Sequence, residues 1–174
     1  TAPAHISDPY TATRHTKPGV LSDVAIVAVA PLRKPSIACV VSPDGKRSGE
    51  PRLIPTGGGK KDEPQLSRDS KWLAYTSNVS GAFQVYVVSF PTGEPRIQVT
   101  KDGAGQPRWR GDGRKLYYRS SSDARVLSVD FTAGVVGLPQ PEASTPSNPM
   151  SREPTRHQLG VLADGAQFLV RVPI

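Results

Sequence analysis

Pro64-Gln65-Leu66-Ser67-Arg68-Asp69-Ser70-Lys71-Trp72-Leu73-Ala74-Tyr75 lines up without a gap on Pro107-Arg108-Trp109-Arg110-Gly111-Asp112-Gly113-Arg114-Lys115-Leu116-Tyr117-Tyr118, 43 residues further along the chain. Both copies open on proline and carry an apolar residue two positions on. Both then place an aspartate at a turn, a leucine four past it and a tyrosine two beyond that. A period of about 40–45 residues built from strands points to a β-propeller blade, a four-stranded sheet that cannot bury its faces alone.

The flanks repeat as well. Residues 84–90 (Gln-Val-Tyr-Val-Val-Ser-Phe) form a strand-like run of β-branched and aromatic residues, residues 91–95 a turn, and residues 96–100 a second alternating run. One period earlier the strand is 37–42, the turn Pro43-Asp44-Gly45 and the next strand 50–56. The triplet Glu-Pro-Arg at 50–52 and again at 94–96 supports the register. One period later the strand is 125–131. A weaker copy closes the series at 159–170, with Phe168 in the leucine position and Val170 in the tyrosine position. Its Asp164 lies 52 residues past Asp112, so an insertion is needed, and the proline-rich stretch 138–154 reads as that loop.

The expected architecture is all-β: a partial β-propeller of about three four-stranded antiparallel blades, a fragment of a larger propeller. Residues 1–19 carry no period and read as an irregular arm. Residues 20–174 hold the propeller, with blade parts at about 20–56 (the last two strands of one blade), 57–100, 101–143 and 155–174 (the first two strands of another). Apolar residues do not recur with helical spacing anywhere.

Asp69, Asp112 and Asp164 are expected to shape turns, their carboxylates accepting backbone N–H groups one or two residues on. Gly113 and Gly165 follow two of them and supply positive φ, whereas Ser70 follows the first. Leu66, Leu73, Tyr75, Trp109, Leu116, Tyr118 and Phe168 are the expected blade core. Arg68, Arg108 and Arg110, with Gly111, are the loop positions read as candidates for binding a partner.

At these residues the sequence resembles the TolB-type, WD-repeat-like propeller repeat of bacteria, whose usual form is a Ser-Pro-Asp-Gly-Lys turn followed by an aromatic or aliphatic residue, Leu or Ile, Ala and Tyr or Phe. The segment 67–75 matches but lacks the Pro and Gly; the segment 110–118 keeps Asp-Gly. Residues 78–90, 98–100, 106–109 and 165–170 are most similar to the C-terminal propeller of bacterial eukaryotic-like serine/threonine protein kinases. That resemblance implies a non-catalytic module for protein interaction or ligand sensing within a larger signalling protein. Any catalytic domain would then lie outside this chain. The alternatives are a propeller gating a prolyl-oligopeptidase-like hydrolase and a periplasmic TolB-like transport partner. The implied partners are a protein or the remaining blades of the same polypeptide, and an extracytoplasmic compartment is slightly favoured over the cytoplasm.

Other chemistry fits the residues poorly. The net charge is +7 with 22 Lys and Arg, but these are scattered, and a nucleic-acid footprint needs clustering. Gly57-Gly58-Gly59-Lys60-Lys61 invites a phosphate-loop reading, which position 54 (Ile, not Gly) and position 61 (Lys, not Ser or Thr) contradict. Cys39 is the sole cysteine, within an apolar run, and the histidines are only His5, His15 and His157. No cofactor or metal is implied, and no apolar run is long enough for a membrane span.

Overall fold

In the computed structural model, the residues described are 24–28, 36–41, 47–144 and 159–170. Among them the structure is all-β and contains no helix. The first sheet joins β1 (Val24–Ala28), β2 (Ser36–Val41) and β3 (Arg47–Ile54). The second runs in order through β4 (Lys61–Leu66), β5 (Trp72–Ser77), β6 (Gln84–Ser89) and β7 (Arg96–Gln98). The third holds β8 (Ala104–Trp109), β9 (Lys115–Ser120), β10 (Val126–Thr132) and β11 (Val135–Val136), with β12 (Gln140–Ala143) also paired to β10. The last pairs β13 (Leu159–Val161) with β14 (Phe168–Val170). Every pairing is antiparallel.

First strands of neighbouring blades pack on one another, β4 against β8 and β8 against β13, and β1 of the first sheet packs against β4. The sheets therefore fan about one edge, as blades do, and the chain is a partial β-propeller. The registers repeat with the sequence. Leu66 faces Leu73, Trp109 faces Leu116 and Val161 faces Phe168 across equivalent hairpins.

Alternation along each second strand sends neighbouring residues to opposite faces. Leu73 and Tyr75 pack back on Ile54 of the first sheet, with Tyr86 and Val88. Ala74 instead packs forward with Val85, Val87, Ala104, Leu116 and Tyr118, the core between the second and third sheets. A third core joins Tyr117 and Val126 to Leu159, with Val161 and Phe168 at its margin. Leu66, Trp109 and Phe168 are half-buried at the edges of these cores, while Leu73, Tyr75, Leu116 and Tyr118 are buried outright.

The strands depart from the sequence reading in two places. The first sheet has three strands where two were expected, because the apolar run Val24–Ala28 pairs along all of its length with β2. The stretch 138–154 is not wholly loop: Gln140–Ala143 forms β12, with Pro141 opposite Leu127 at a register shift. An edge position beside a bulge tolerates the missing N–H, which is why proline did not exclude a strand. The arm at 1–19, the turn at 43–45, the three histidines and Pro146, Pro149 and Pro154 lie outside the described residues.

Candidate functional site

The three aspartate turns are built alike. Asp69 Oδ1 accepts the N–H of Lys71 at 3.1 Å, Asp112 Oδ1 that of Arg114 at 2.9 Å, and Asp164 Oδ1 that of Ala166 at 2.9 Å. Each turn closes with a backbone bond from the residue after the aspartate: Ser70 to Ser67, Gly113 to Arg110, Gly165 to Leu162. That following residue is left-handed in all three, with φ of 57° at Ser70, 71° at Gly113 and 77° at Gly165. Ser67 adds a side-chain bond to Asp69, 2.6 Å long, and accepts the N–H of Trp72 on the same hydroxyl.

These turns sit side by side on one rim of the fan. Arg68 Nη1 reaches the carbonyl oxygen of Gly111 at 3.4 Å, and the Gly111 N–H donates to the carbonyl of Ala163 at 2.8 Å. Residues 68, 111 and 163 each precede the turn aspartate, so this line of contacts follows the repeat from blade to blade. Arg110 forms a two-pronged pair with Asp112, at 3.0 and 2.7 Å. That pairing holds the Asp112 carboxyl down at about 2 and the Arg110 guanidinium above its ordinary value. Arg68, Lys71 and Arg114 are exposed on the same rim.

Arg108 is placed differently from the other two arginines. Read as a loop position, it lies within β8 and is half-buried. Its Nε donates to the Leu159 carbonyl at 2.8 Å and its Nη1 to that of Pro107 at 2.7 Å, so it ties the third sheet to the last.

The sequence reading passed over the inner strand. Lys61, Glu63 and Gln65 are all buried in β4. Lys61 Nζ is held by the carbonyls of Gly58 and Gly59 at 3.0 and 3.2 Å, which gives the glycine loop an internal cation to wrap. Burial, with Arg96 nearby, lowers the Lys61 ammonium from its ordinary value. Glu63 Oε2 accepts the N–H of Gln106 at 2.6 Å and the Thr76 hydroxyl at 3.0 Å. Glu63 and Gln106 have φ of 54° and 57° at equivalent bulges, in β4 against β5 and in β8 against β9. The repeat itself was the signal: positions 63 and 106 share the 43-residue period and both precede proline.

Among the described residues no group of three or more His, Cys, Asp or Glu side chains is placed to hold a metal ion. No helix among them is long and apolar enough to cross a membrane.

No protein-family profile and no curated protein sequence matches the chain. Solved structures do. One is a TolB from Agrobacterium tumefaciens, with a TM-score of 0.52 and 20% identity over 67% of this chain and 44% of that one. Another is TolB from Acinetobacter baumannii, also with a TM-score of 0.52, at 18% identity over 85% of this chain and 34% of that one. At such identities the likeness is one of fold: the class is the TolB-like β-propeller. The chain spans less than half the length of either TolB structure.

Proposed function

We propose that the chain is part of a non-catalytic TolB-like propeller that docks acidic segments of other proteins on the rim of its aspartate turns. The observation that carries this reading is the Arg68–Gly111–Ala163 line of contacts, which sets three turns edge to edge. Their carboxylates are engaged by their own backbones. Arg68, Lys71 and Arg114 keep their charges exposed. Complementary charge of this kind steers encounter and sets specificity, and weakens with salt. An extracytoplasmic setting, favoured by the TolB likeness, belongs to the same proposal.

The test is fluorescence anisotropy with a labelled acidic peptide and a basic counterpart at low ionic strength. Saturable binding of the acidic peptide alone is expected, weakened in an Arg68→Ala/Arg114→Ala double variant. Equal binding of both peptides, or an unaffected double variant, would sink the reading.

A second reading, a propeller attached to a serine/threonine kinase, is favoured by the resemblance of residues 78–90, 98–100, 106–109 and 165–170 to that class. The reading frame flanking these residues separates the possibilities. Kinase catalytic motifs upstream support the second reading, a Gly-x-Ser-x-Gly segment downstream a gated hydrolase, and a secretion leader the TolB-like transport partner.

A further inference from the structure

Three bonds cross the junction between the second and third sheets in line. The Gln106 N–H donates to Glu63 Oε2 at 2.6 Å, and Trp109 Nε1–H donates to the Gln65 carbonyl at 3.1 Å. Arg68 Nη1 then reaches the Gly111 carbonyl at 3.4 Å, on the rim. All three run between β4 with its turn and β8 with its turn. The rim contact is therefore the far end of a zipper that starts at Glu63.

Glu63 is 2% exposed, and its Oε1 has no hydrogen-bond partner among the described residues. As a neutral acid the group suits that dry position; as a carboxylate it needs water that the packed strands exclude. At the equivalent bulge one repeat on stands Gln106, an uncharged side chain of the same shape. The repeat thus carries a titratable group at one bulge and its pH-insensitive isostere at the next. The elements packed on β4 supply few charges that act on Glu63. From β5 the Thr76 hydroxyl donates to it at 3.0 Å, and β1 is Val-Ala-Ile-Val-Ala. From β8 the Arg108 guanidinium favours the carboxylate, and from β4 itself Asp62 disfavours it. Lys61, at the start of β4, is turned to the Gly58 and Gly59 carbonyls. Burial outweighs the favourable contacts and pushes the Glu63 carboxyl up to about 7.

We propose that Glu63 is a proton switch for the rim: with its carboxyl neutral the zipper is closed and the rim docks its acidic partner, and ionisation opens the zipper and weakens that docking. This rests on the docking reading above and adds its regulation. The junction lies between the four-stranded and five-stranded sheets, away from both ends of the chain. Coupling of this kind is reciprocal, so a bound acidic segment must raise the pH at which Glu63 ionises.

The experiment measures anisotropy of an end-blocked, aspartate-rich peptide on native and Glu63→Gln chains at pH 6 and pH 8, at one ionic strength. Peptide aspartates stay ionised throughout that range. Native affinity should fall by about threefold or more between the two pH values, the lower end of ordinary coupling between sites. Glu63→Gln should bind at both as the native chain does at pH 6. Tryptophan emission, which senses the Trp109 bond to Gln65, is titrated against pH in parallel. In the native chain it should turn over near pH 7, and saturating peptide should move that midpoint upward by about half a unit or more. Should Glu63→Gln fail to fold, the peptide-induced shift in the native chain decides alone, and its absence overturns the switch. Binding that ignores pH, or a pH slope that Glu63→Gln retains, overturns the switch and leaves docking intact. A peptide that binds at no pH removes the docking reading and the switch with it.

Discussion

Glu63 accepts the backbone N–H of Gln106 at 2.6 Å, joining two residues one repeat apart on the first strands of neighbouring sheets. The carboxylate is 2% exposed, and its other oxygen, Oε1, has no hydrogen-bond partner among the described residues. Taking a charge out of water without full compensation is unfavourable, so the group resists ionising. Its pKa is pushed from an ordinary 4.5 up to about 7, chiefly by burial, with Asp62 adding to the rise and the Gln106 N–H, Arg108 and Thr76 opposing it.

Stability should therefore fall as pH rises from about 4.5 to about 7 and level off above that. The folded state holds a proton through this window that the unfolded state releases, so raising the pH favours unfolding. The full effect is about 3 kcal/mol. Asp62, also raised by burial, acts in the same direction. Urea midpoints at pH 5, 6, 7 and 8 measure the slope, and Glu63→Gln should remove most of it while raising stability at pH 8. A native chain that gains stability across this range would contradict the account.

Arg108 gives the same site a second handle. Its charge favours ionised Glu63, and its Nε also bonds the Leu159 carbonyl. Arg108→Met keeps much of the side-chain bulk and removes both effects. The pH midpoint of the Glu63 transition should move upward and the last hairpin should loosen, read as faster amide exchange at Leu159 and Val161. A midpoint that moves downward would show that Arg108 does not act on Glu63.

The repeat turns supply a matched pair of substitutions. Ser70 holds φ of 57° where the equivalent residues are Gly113 and Gly165. A side chain in left-handed backbone is unfavourable by about 1–2 kcal/mol, part of which glycine offsets with its larger loss of freedom on folding. Ser70→Gly should therefore stabilise by about 0.5–1 kcal/mol. Gly113→Ala should destabilise by about 1 kcal/mol for conformational reasons alone, because a Cβ there meets nothing within 4 Å. Gly165→Ala should be worse, since its Cβ would fall 2.1 Å from the Tyr117 hydroxyl. Thermal melts rank all three; Ser70→Gly lowering the midpoint would refute the strain argument.

How far the fold could be read from sequence follows from what repeats. The sheet order, the antiparallel pairing and the fan were legible because leucine, tyrosine and aspartate recur at a fixed offset, and strand alternation turns that offset into register. Strand β12 was hidden by Pro141, whose usual meaning fails at an edge bulge. The inner strand was harder still. Lys-Asp-Glu-Pro-Gln-Leu reads as solvated surface, and only the bonds that Gln106 and Thr76 donate to Glu63, and that Lys61 donates to the glycine-loop carbonyls, make burial of Lys61 and Glu63 tolerable. Those partners come from other strands and from the backbone, which composition does not show. Arg108 was misplaced for a related reason: an arginine beside a turn motif reads as loop, yet its bond to Leu159 draws it into the interface.

The aromatic contact between the second and third sheets yields a last prediction. Phe131 stands between Trp72 and Trp109, edge to face with both, at centroid separations of 5.0 and 5.1 Å. Trp72 belongs to β5, whereas Trp109 and Phe131 belong to β8 and β10, so one ring couples two blades. Trp109 is fixed further by its Nε1–H, which donates to the Gln65 carbonyl at 3.1 Å. Phe131→Leu keeps an apolar side chain but loses both ring contacts, for about 1–2 kcal/mol. Phe131→Ala opens a cavity as well, for about 3–5 kcal/mol, a large share of the stability of an ordinary domain. Because these are the only two tryptophans in the chain, intrinsic fluorescence reports on this contact directly. Phe131→Leu should alter the native emission and lower the urea midpoint together. Should both stay at their native values, the blades are not held together through this ring, and the coupling between the second and third sheets lies in the aliphatic packing of Ala74, Val85 and Val87 against Ala104 and Leu116.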